Sequence, residues 1–288
     1  MIGDVRLRTR LAEAWGLTGA TVEVHNGGIN SATWFVADRG ERWVAKAVAP
    51  GARRSFAGGL TVATALDAAG IPAGAPVPAR DGDLVVDVDG IPLALLTWVD
   101  GEEADDRRLI GTTLGRVHRT LRDVPMPDAE RFHWVDPRAD HLGLRPWVRP
   151  AVSAAVEAYD RLGPETLTWG LLHTDPNPDA FRVDRARGVC GVIDWSVAMT
   201  GPLLYDLASA VMYAGGPEHA RDLIESYHAE RVVPRAEVDR ALGTMLRFRW
   251  AVQADYFARR IAGDDLTGGA DNERGLADAG AWFSAFGR

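Results

Sequence analysis

His173-Thr-Asp-Pro-Asn-Pro-Asp-Ala-Phe181 and, one hairpin later, Gly191-Val-Ile-Asp-Trp195 are the two stretches on which the reading of this chain turns. The first is an aspartate in a proline-stiffened loop, a carboxylate placed to accept a proton from an attacking hydroxyl. The second aspartate, Asp194, ends a short Val/Ile strand, where a hard oxygen ligand can hold Mg²⁺ against phosphate groups. Each aspartate alone reads equally well as a loop cap. Their order and spacing carry the signal. Downstream, Gly201-Pro-Leu-Leu-Tyr-Asp-Leu-Ala208 opens a helix with Asp206 in its first turns.

Two upstream stretches fit the same chemistry. His25-Asn-Gly-Gly-Ile-Asn-Ser-Ala-Thr33 is a glycine-containing turn between strands. Backbone N–H groups there can approach phosphate oxygens without an intervening Cβ. Trp43-Val-Ala-Lys46 follows on the next strand, and Lys46 is the single lysine among 32 basic residues. A lysine kept in so arginine-rich a chain reads either as a chance survivor or as marking a place where a thin point charge serves and a planar fork does not.

The rest of the composition excludes several classes. The chain has 288 residues, 32 basic and 40 acidic side chains, and a formal charge of −8. With no basic block, it lacks the positive footprint of a nucleic-acid or anionic-membrane binder. No apolar run reaches membrane-span length, and the N-terminus does not read as a signal peptide. A single cysteine, Cys190, excludes an internal disulfide. These features predict a soluble, cytoplasmic protein. The histidines show no zinc-ligand spacing.

Periodicity predicts a helix over residues 4–16, then strands Thr21–His25, Ala32–Ala37 and Arg42–Val48 in a meander. A helix from Ala52 to Ala69 and a hairpin of Leu84–Val88 with Ile91–Thr97 complete a five-stranded part, the hairpin turning on Asp89-Gly90. After Trp98 the pattern is mostly helical: about 105–122, 150–162, 204–213, 217–231, 236–261 and 272–286. Short strand-like pieces lie at 169–173, 181–183 and 189–193. The expectation is an α+β chain of two lobes, 1–98 and 99–288. The Pro-containing stretches 71–78 and 124–128 read as surface connectors.

Taken together, the chain resembles the aminoglycoside phosphotransferase and choline kinase-like family over nearly its whole length. That family has the bilobal protein-kinase-like fold, with a small antiparallel five-stranded N-lobe and a larger, mainly helical C-lobe. The resemblance implies an Mg²⁺-dependent phosphotransferase moving the γ-phosphate of ATP or GTP to a hydroxyl of a small molecule. Asp175 would then be the catalytic base or the carboxylate that orients the hydroxyl, and Asp194 the chief Mg²⁺ ligand. Lys46 and backbone groups around Gly28, Asn30 and Ser31 would hold the phosphates, and the backbone from Thr97 to Val99 the nucleobase. Asp206 would brace the catalytic loop.

Two departures stand out. The family's loop carries Asn five residues after its aspartate, as a second metal ligand, and here that residue is Ala180, with Asp179 beside it as a substitute ligand. The lysine's usual glutamate partner is also missing: residues 47–66 hold no acidic side chain, and Asp67 comes near the helix end. Three readings therefore stand: a phosphotransferase with a reorganised metal shell, a pseudokinase or binding module without transfer, and a partner-dependent kinase of a peptide or carrier-bound hydroxyl. Five carboxylates at Asp100, Glu102, Glu103, Asp105 and Asp106 read either as a solvated helix start or as an attractor for a cationic acceptor. The acceptor and the choice of ATP or GTP stay open.

Overall fold

The computed structural model describes residues 2–25, 31–125, 132, 135–267 and 271–286. The expected glycine turn, with Gly28 and Asn30, lies outside the described residues, as does most of 124–128.

The first helix, α1 (Asp4–Trp15), buries Leu7, Leu11 and Ala14, spaced at i, i+4 and i+7 along one face. It ends at Gly16, whose φ of +79° makes the left-handed cap that suits glycine. Strands β1 (Thr21–His25), β2 (Ser31–Asp38) and β3 (Glu41–Val48) follow. Helix α2 (Arg53–Ala68) and the hairpin β4 (Val86–Val88) and β5 (Ile91–Thr97) complete an antiparallel sheet of order β1-β2-β3-β5-β4. Asp89 and Gly90 both have positive φ, as a two-residue hairpin turn demands.

Helices cover both faces of this sheet. Leu7 and Leu11 of α1 pack with Trp34, Val36, Ala45, Leu93 and Leu95 on one side. Phe56 and Leu60 of α2 pack with Val48 and Ala94 on the other. A strand covered on both faces reads as a continuous apolar run, and Val44-Ala-Lys-Ala-Val48 is such a run broken once, by Lys46.

The second part is mainly helical: α3 (Arg107–Leu121), α4 (Val148–Arg161), α5 (Leu204–Tyr213), α6 (Arg221–Ala229), α7 (Arg235–Ala262) and α8 (Asn272–Phe286). Strands β6 (Glu102–Glu103), β8 (Phe181–Asp184) and β9 (Val189–Val192) form one small sheet, and β7 (Trp169–Leu172) pairs with β10 (Met199–Pro202) in another. The α+β, two-part architecture is the one expected. The short strands β6 and β10 were not anticipated, because two- to four-residue pairings carry no periodicity of their own.

One expectation is corrected. Residues 71–77 are not a surface connector but a strap between the two parts. Ile71 and Ala73 are buried. Val77 N–H donates to Leu95, and Thr97 N–H donates to Ala75, tying the strap to β5. Val192 N–H donates to Pro72 O at 2.8 Å, tying it to β9. The approach depends on Gly191, where an added Cβ would stand 2.4 Å from Pro72 O.

A second close approach joins α2 to the turn carrying Asp194. A Cβ on Gly59 would lie 2.0 Å from the Trp195 carbonyl oxygen, which is backbone and has nowhere to go. Glycine inside an exposed helix ordinarily costs about 1 kcal/mol relative to alanine. Gly59→Ala should reverse that rule and lower stability by about 1–3 kcal/mol, because α2 must back away from the turn. Gly243→Ala, in α7 with open space around it, should be neutral or stabilising. Thermal melts of the two variants check this contrast.

Candidate functional site

The cleft between the two parts is lined by the ends of β3, β7 and β9. Strand β7 delivers His173, Thr174 and Asp175, and β9 delivers Asp194. The two loops are fastened together at several points. His173 Nε2 donates to Ile193 O at 2.8 Å, and the His173 ring stands 4.7 Å from that of Trp195. Its Nδ1 is left as the acceptor for Asp175 N–H at 3.3 Å. Both ring nitrogens are thus occupied in holding the loops, so His173 orients rather than carries a proton.

Below them lies Asp206, fully buried. Its carboxylate accepts from His173 N–H at 2.6 Å and Thr174 N–H at 2.8 Å, and meets His118 Nε2 at 3.1 Å. His118 in turn reaches the Tyr227 hydroxyl at 2.9 Å. A carboxylate with this many partners is an affordable buried charge. It holds Thr174 at a φ of +76°, a conformation a β-branched residue does not choose unaided.

Lys46 crosses the cleft. It is 7% exposed, shares the β3 face with Val48, and its Nζ pairs with Asp194 Oδ1. The acidic partner that α2 does not supply is therefore Asp194 itself. Asp67 is used elsewhere, accepting Ala73 N–H at 2.6 Å to fix the start of the strap. Asp194 has a φ of +70°, which swings its carboxylate out of the strand line into the cleft, and its side chain stays 54% exposed. Ser196 Oγ donates to the same oxygen at 2.8 Å. Burial of the turn pushes the Asp194 carboxyl upward, but the Lys46 charge and the Lys46 and Ser196 hydrogen bonds outweigh it and hold the value at about 2.

Asp175 faces the cleft at the end of its loop. Tyr213 O–H donates to its Oδ1 at 2.5 Å, and Arg249 Nη2 donates to the same oxygen at 3.3 Å. Neither partner was anticipated. Arg249 is buried on α7 together with Met245, one turn before it. Ser31 begins β2 opposite Val48. Thr97 N–H is taken by Ala75, and the Val99 side chain lies against Gly74 and Gly191. Trp98 stacks edge-on to Phe35 at 5.2 Å and carries the Arg42 guanidinium 4.4 Å from its ring centre.

Ala180 is buried and brings no side-chain oxygen, and its N–H donates to Asn177 Oδ1 at 2.9 Å. Asp179 stands beside Glu103, and the contact of the two carboxylates pushes the Glu103 carboxyl upward. Among the described residues no three His, Cys, Asp or Glu side chains form a metal-holding group. The acidic run divides: Glu102 and Glu103 join a strand, Asp106 caps α3 through Arg108 and Leu109 N–H, and Asp105 pairs with Arg185 at 3.0 Å. A cavity of about 450 Å³ opens next to the Asp175 loop, lined by Glu103, Asp105, Arg107, Pro176, Pro178 and Tyr213 among others. No described helix is long and apolar enough to cross a membrane.

The Lys46–Asp194 pair makes a testable statement about acid stability. Asp194's folded value lies below its ordinary 3.8, so its contribution is present above about pH 4 and fades as pH falls toward 2. In Lys46→Met the upward push of burial is no longer outweighed to the same degree, and the Asp194 carboxyl should titrate at higher pH. Carboxyl ¹³C resonances followed through an acid titration measure both values; an Asp194 titration unchanged by the substitution contradicts the pairing.

Comparison with known proteins adds identity to this geometry. A family model described as the phosphotransferase enzyme family matches residues 21–239, well over half of the chain. A homoserine kinase of Rhodospirillum rubrum is 30% identical over 233 residues, covering 72% of this chain and 70% of that protein. A homoserine kinase of Nitrobacter hamburgensis is 28% identical over 202 residues, 60% of each chain. The chain thus spans 60–70% of the length of these relatives. Among solved structures, a microcompartment-associated aminopropanol kinase superposes with a TM-score of 0.75 at 20% identity, covering 98% of both chains. An amicoumacin kinase in complex with AMP-PNP, Ca²⁺ and amicoumacin gives 0.75 at 16% identity, covering 99% of this chain and 94% of that one. These likenesses establish the bilobal protein-kinase-like fold, and the chain belongs to the phosphotransferase enzyme family.

Proposed function

We propose that this protein transfers the γ-phosphoryl group of ATP or GTP, with Mg²⁺, to a hydroxyl of a small amine-bearing molecule. The observation that carries the reading is the convergence of Lys46, Asp175 and Asp194 on one cleft, with Asp206 bracing the catalytic loop from below.

In this reading the nucleobase enters beside Trp98 and the phosphates lie along β2 and β3. Lys46 exchanges its partner, releasing Asp194 and taking phosphate oxygens. The donor chemistry at Asp194 fits a hard cation: a cleft-facing carboxylate, ionised above about pH 2, whose two protein contacts both fall on Oδ1. Mg²⁺ held there with phosphate oxygens and water would neutralise charge on the transferring group. Asp175 takes the acceptor's hydroxyl proton as the oxygen–phosphorus bond forms and the bond to the bridging oxygen breaks. The nucleoside diphosphate leaves with the electron pair. Catalysis is positioning and charge neutralisation, with no covalent enzyme intermediate.

The acceptor class is supported from two sides. The relatives are named as homoserine kinases and an aminopropanol kinase, small hydroxyl compounds bearing an amine. The 450 Å³ cavity beside Asp175 has the size of a small-molecule site and is lined by Glu103 and Asp105 together with Arg107, Asp105 being paired with Arg185. Asp179, the candidate second metal ligand, stands beside Glu103, and we assign it to this acceptor side. The buried, capped Ala180 favours the second reading, a nucleotide-binding protein without transfer.

One assay separates the two. Wild type, Mg²⁺ and ATP or GTP, offered L-homoserine, 1-amino-2-propanol and an aminoglycoside, should form a phosphorylated product with at least one acceptor. Asp175→Ala should lose about 10²-fold or more in kcat while nucleotide affinity stays within a few-fold. Nucleotide binding with no product from any of these acceptors would overturn the small-amine reading in favour of a binding protein or a partner-dependent kinase.

A further inference from the structure

The geometry points to Arg249 and Tyr213 as a positioning pair that presents one chosen oxygen of Asp175 to the acceptor, and this rests on the phosphotransferase reading above. Arg249 projects from α7 and is 7% exposed. Its Nε donates to Ser209 Oγ at 2.9 Å, and Ser209 is completely buried on α5. Its Nη2 reaches both Asp175 Oδ1 at 3.3 Å and the Tyr213 hydroxyl at 3.2 Å. Ser209 and Tyr213 are one helical turn apart on α5, so α5 presents both partners on the face that α7 packs against.

Two donors converge on Asp175 Oδ1. Tyr213 O–H and Arg249 Nη2 both donate to it, which fixes the carboxylate plane and leaves Oδ2 as the oxygen to meet an acceptor hydroxyl. An aspartate on a loop otherwise has free rotation about its last bond, and a misdirected lone pair loses the proton transfer even with the loop intact. The guanidinium fork suits this task because its planar donors serve Ser209 and Asp175 at once, as an ammonium does not. The Tyr213 ring also forms part of the cavity wall beside Pro176 and Pro178. An acceptor seated against that wall therefore sits against the group that aims the carboxylate. Burial raises the Tyr213 hydroxyl far above its ordinary range, so it stays a donor at any working pH.

Two variants test the pair. Tyr213→Phe keeps the cavity wall and removes the donor; Arg249→Lys keeps the charge and removes the fork. The Asp175 γ-carboxyl ¹³C resonance of the free protein should move or broaden in both, while the Asp206 resonance stays in place. With an acceptor that wild type phosphorylates, kcat should fall about 10-fold or more in each variant, with KM and nucleotide Kd within about threefold. An unmoved Asp175 resonance, or a kcat equal to wild type, overturns the proposal. If wild type phosphorylates none of the acceptors, the reaction assignment fails, and the carboxyl resonances still decide whether the pair orients Asp175. Should Arg249→Lys fail to fold, Tyr213→Phe carries both measurements.

Discussion

The ion pair between Lys46 and Asp194 spans 148 residues of chain and the gap between the two parts of the molecule. A half-exposed carboxylate held at about 2 needs a cation held still beside it, and the surrounding structure provides that stillness. The aliphatic stem of Lys46 is fixed because β3 is covered by helices on both faces. The carboxylate is fixed because its turn is caught between Gly59 of α2 and His173 of the neighbouring loop. The strap at 71–77 then holds β5 to β9, which keeps the strands carrying these two groups in one register.

This arrangement explains how Lys46 does without an acidic partner from α2, whose one carboxylate, Asp67, is held by the strap. A glutamate there would fix the lysine from the N-terminal part alone, leaving Asp194 free. Here the lysine is fixed from the opposite part, and Gly59 lets α2 touch the Asp194 turn. On the proposed function this makes a coupled site: a nucleotide that drew Lys46 toward its phosphates would also release Asp194 to a metal, so that phosphate entry and metal binding would change one contact together.

Much of this was legible beforehand, and the reasons differ by residue. Lys46 was readable because a lone lysine in an arginine-rich chain is a compositional anomaly, and Asp175 and Asp194 because prolines and a short apolar strand frame them. Asp206 was readable from its place in a helix start, though its grip on His173 and Thr174 N–H needed three dimensions. The strap was misjudged because Pro72, Gly74 and Pro76 signal a loop more loudly than Ile71 and Ala73 signal burial. Arg249 was missed because α7 is buried on several sides, Glu237, Asp255 and Arg260 included, so its charges trace no polar face to mark an exception. The Lys46–Asp194 pair itself had no local trace; such contacts are set by packing, which local sequence patterns do not encode.

At the centre of the proposed function, Asp194 is a metal carboxylate released when nucleotide takes Lys46. Calorimetric titration of ATP and GTP, with and without Mg²⁺, into wild type and Asp194→Ala measures this. Wild type should bind at least one nucleotide about 10-fold more tightly with Mg²⁺, a difference of about 1.4 kcal/mol, and Asp194→Ala should lose that difference. Equal Mg²⁺ dependence in the variant, or no nucleotide binding by wild type, would contradict it.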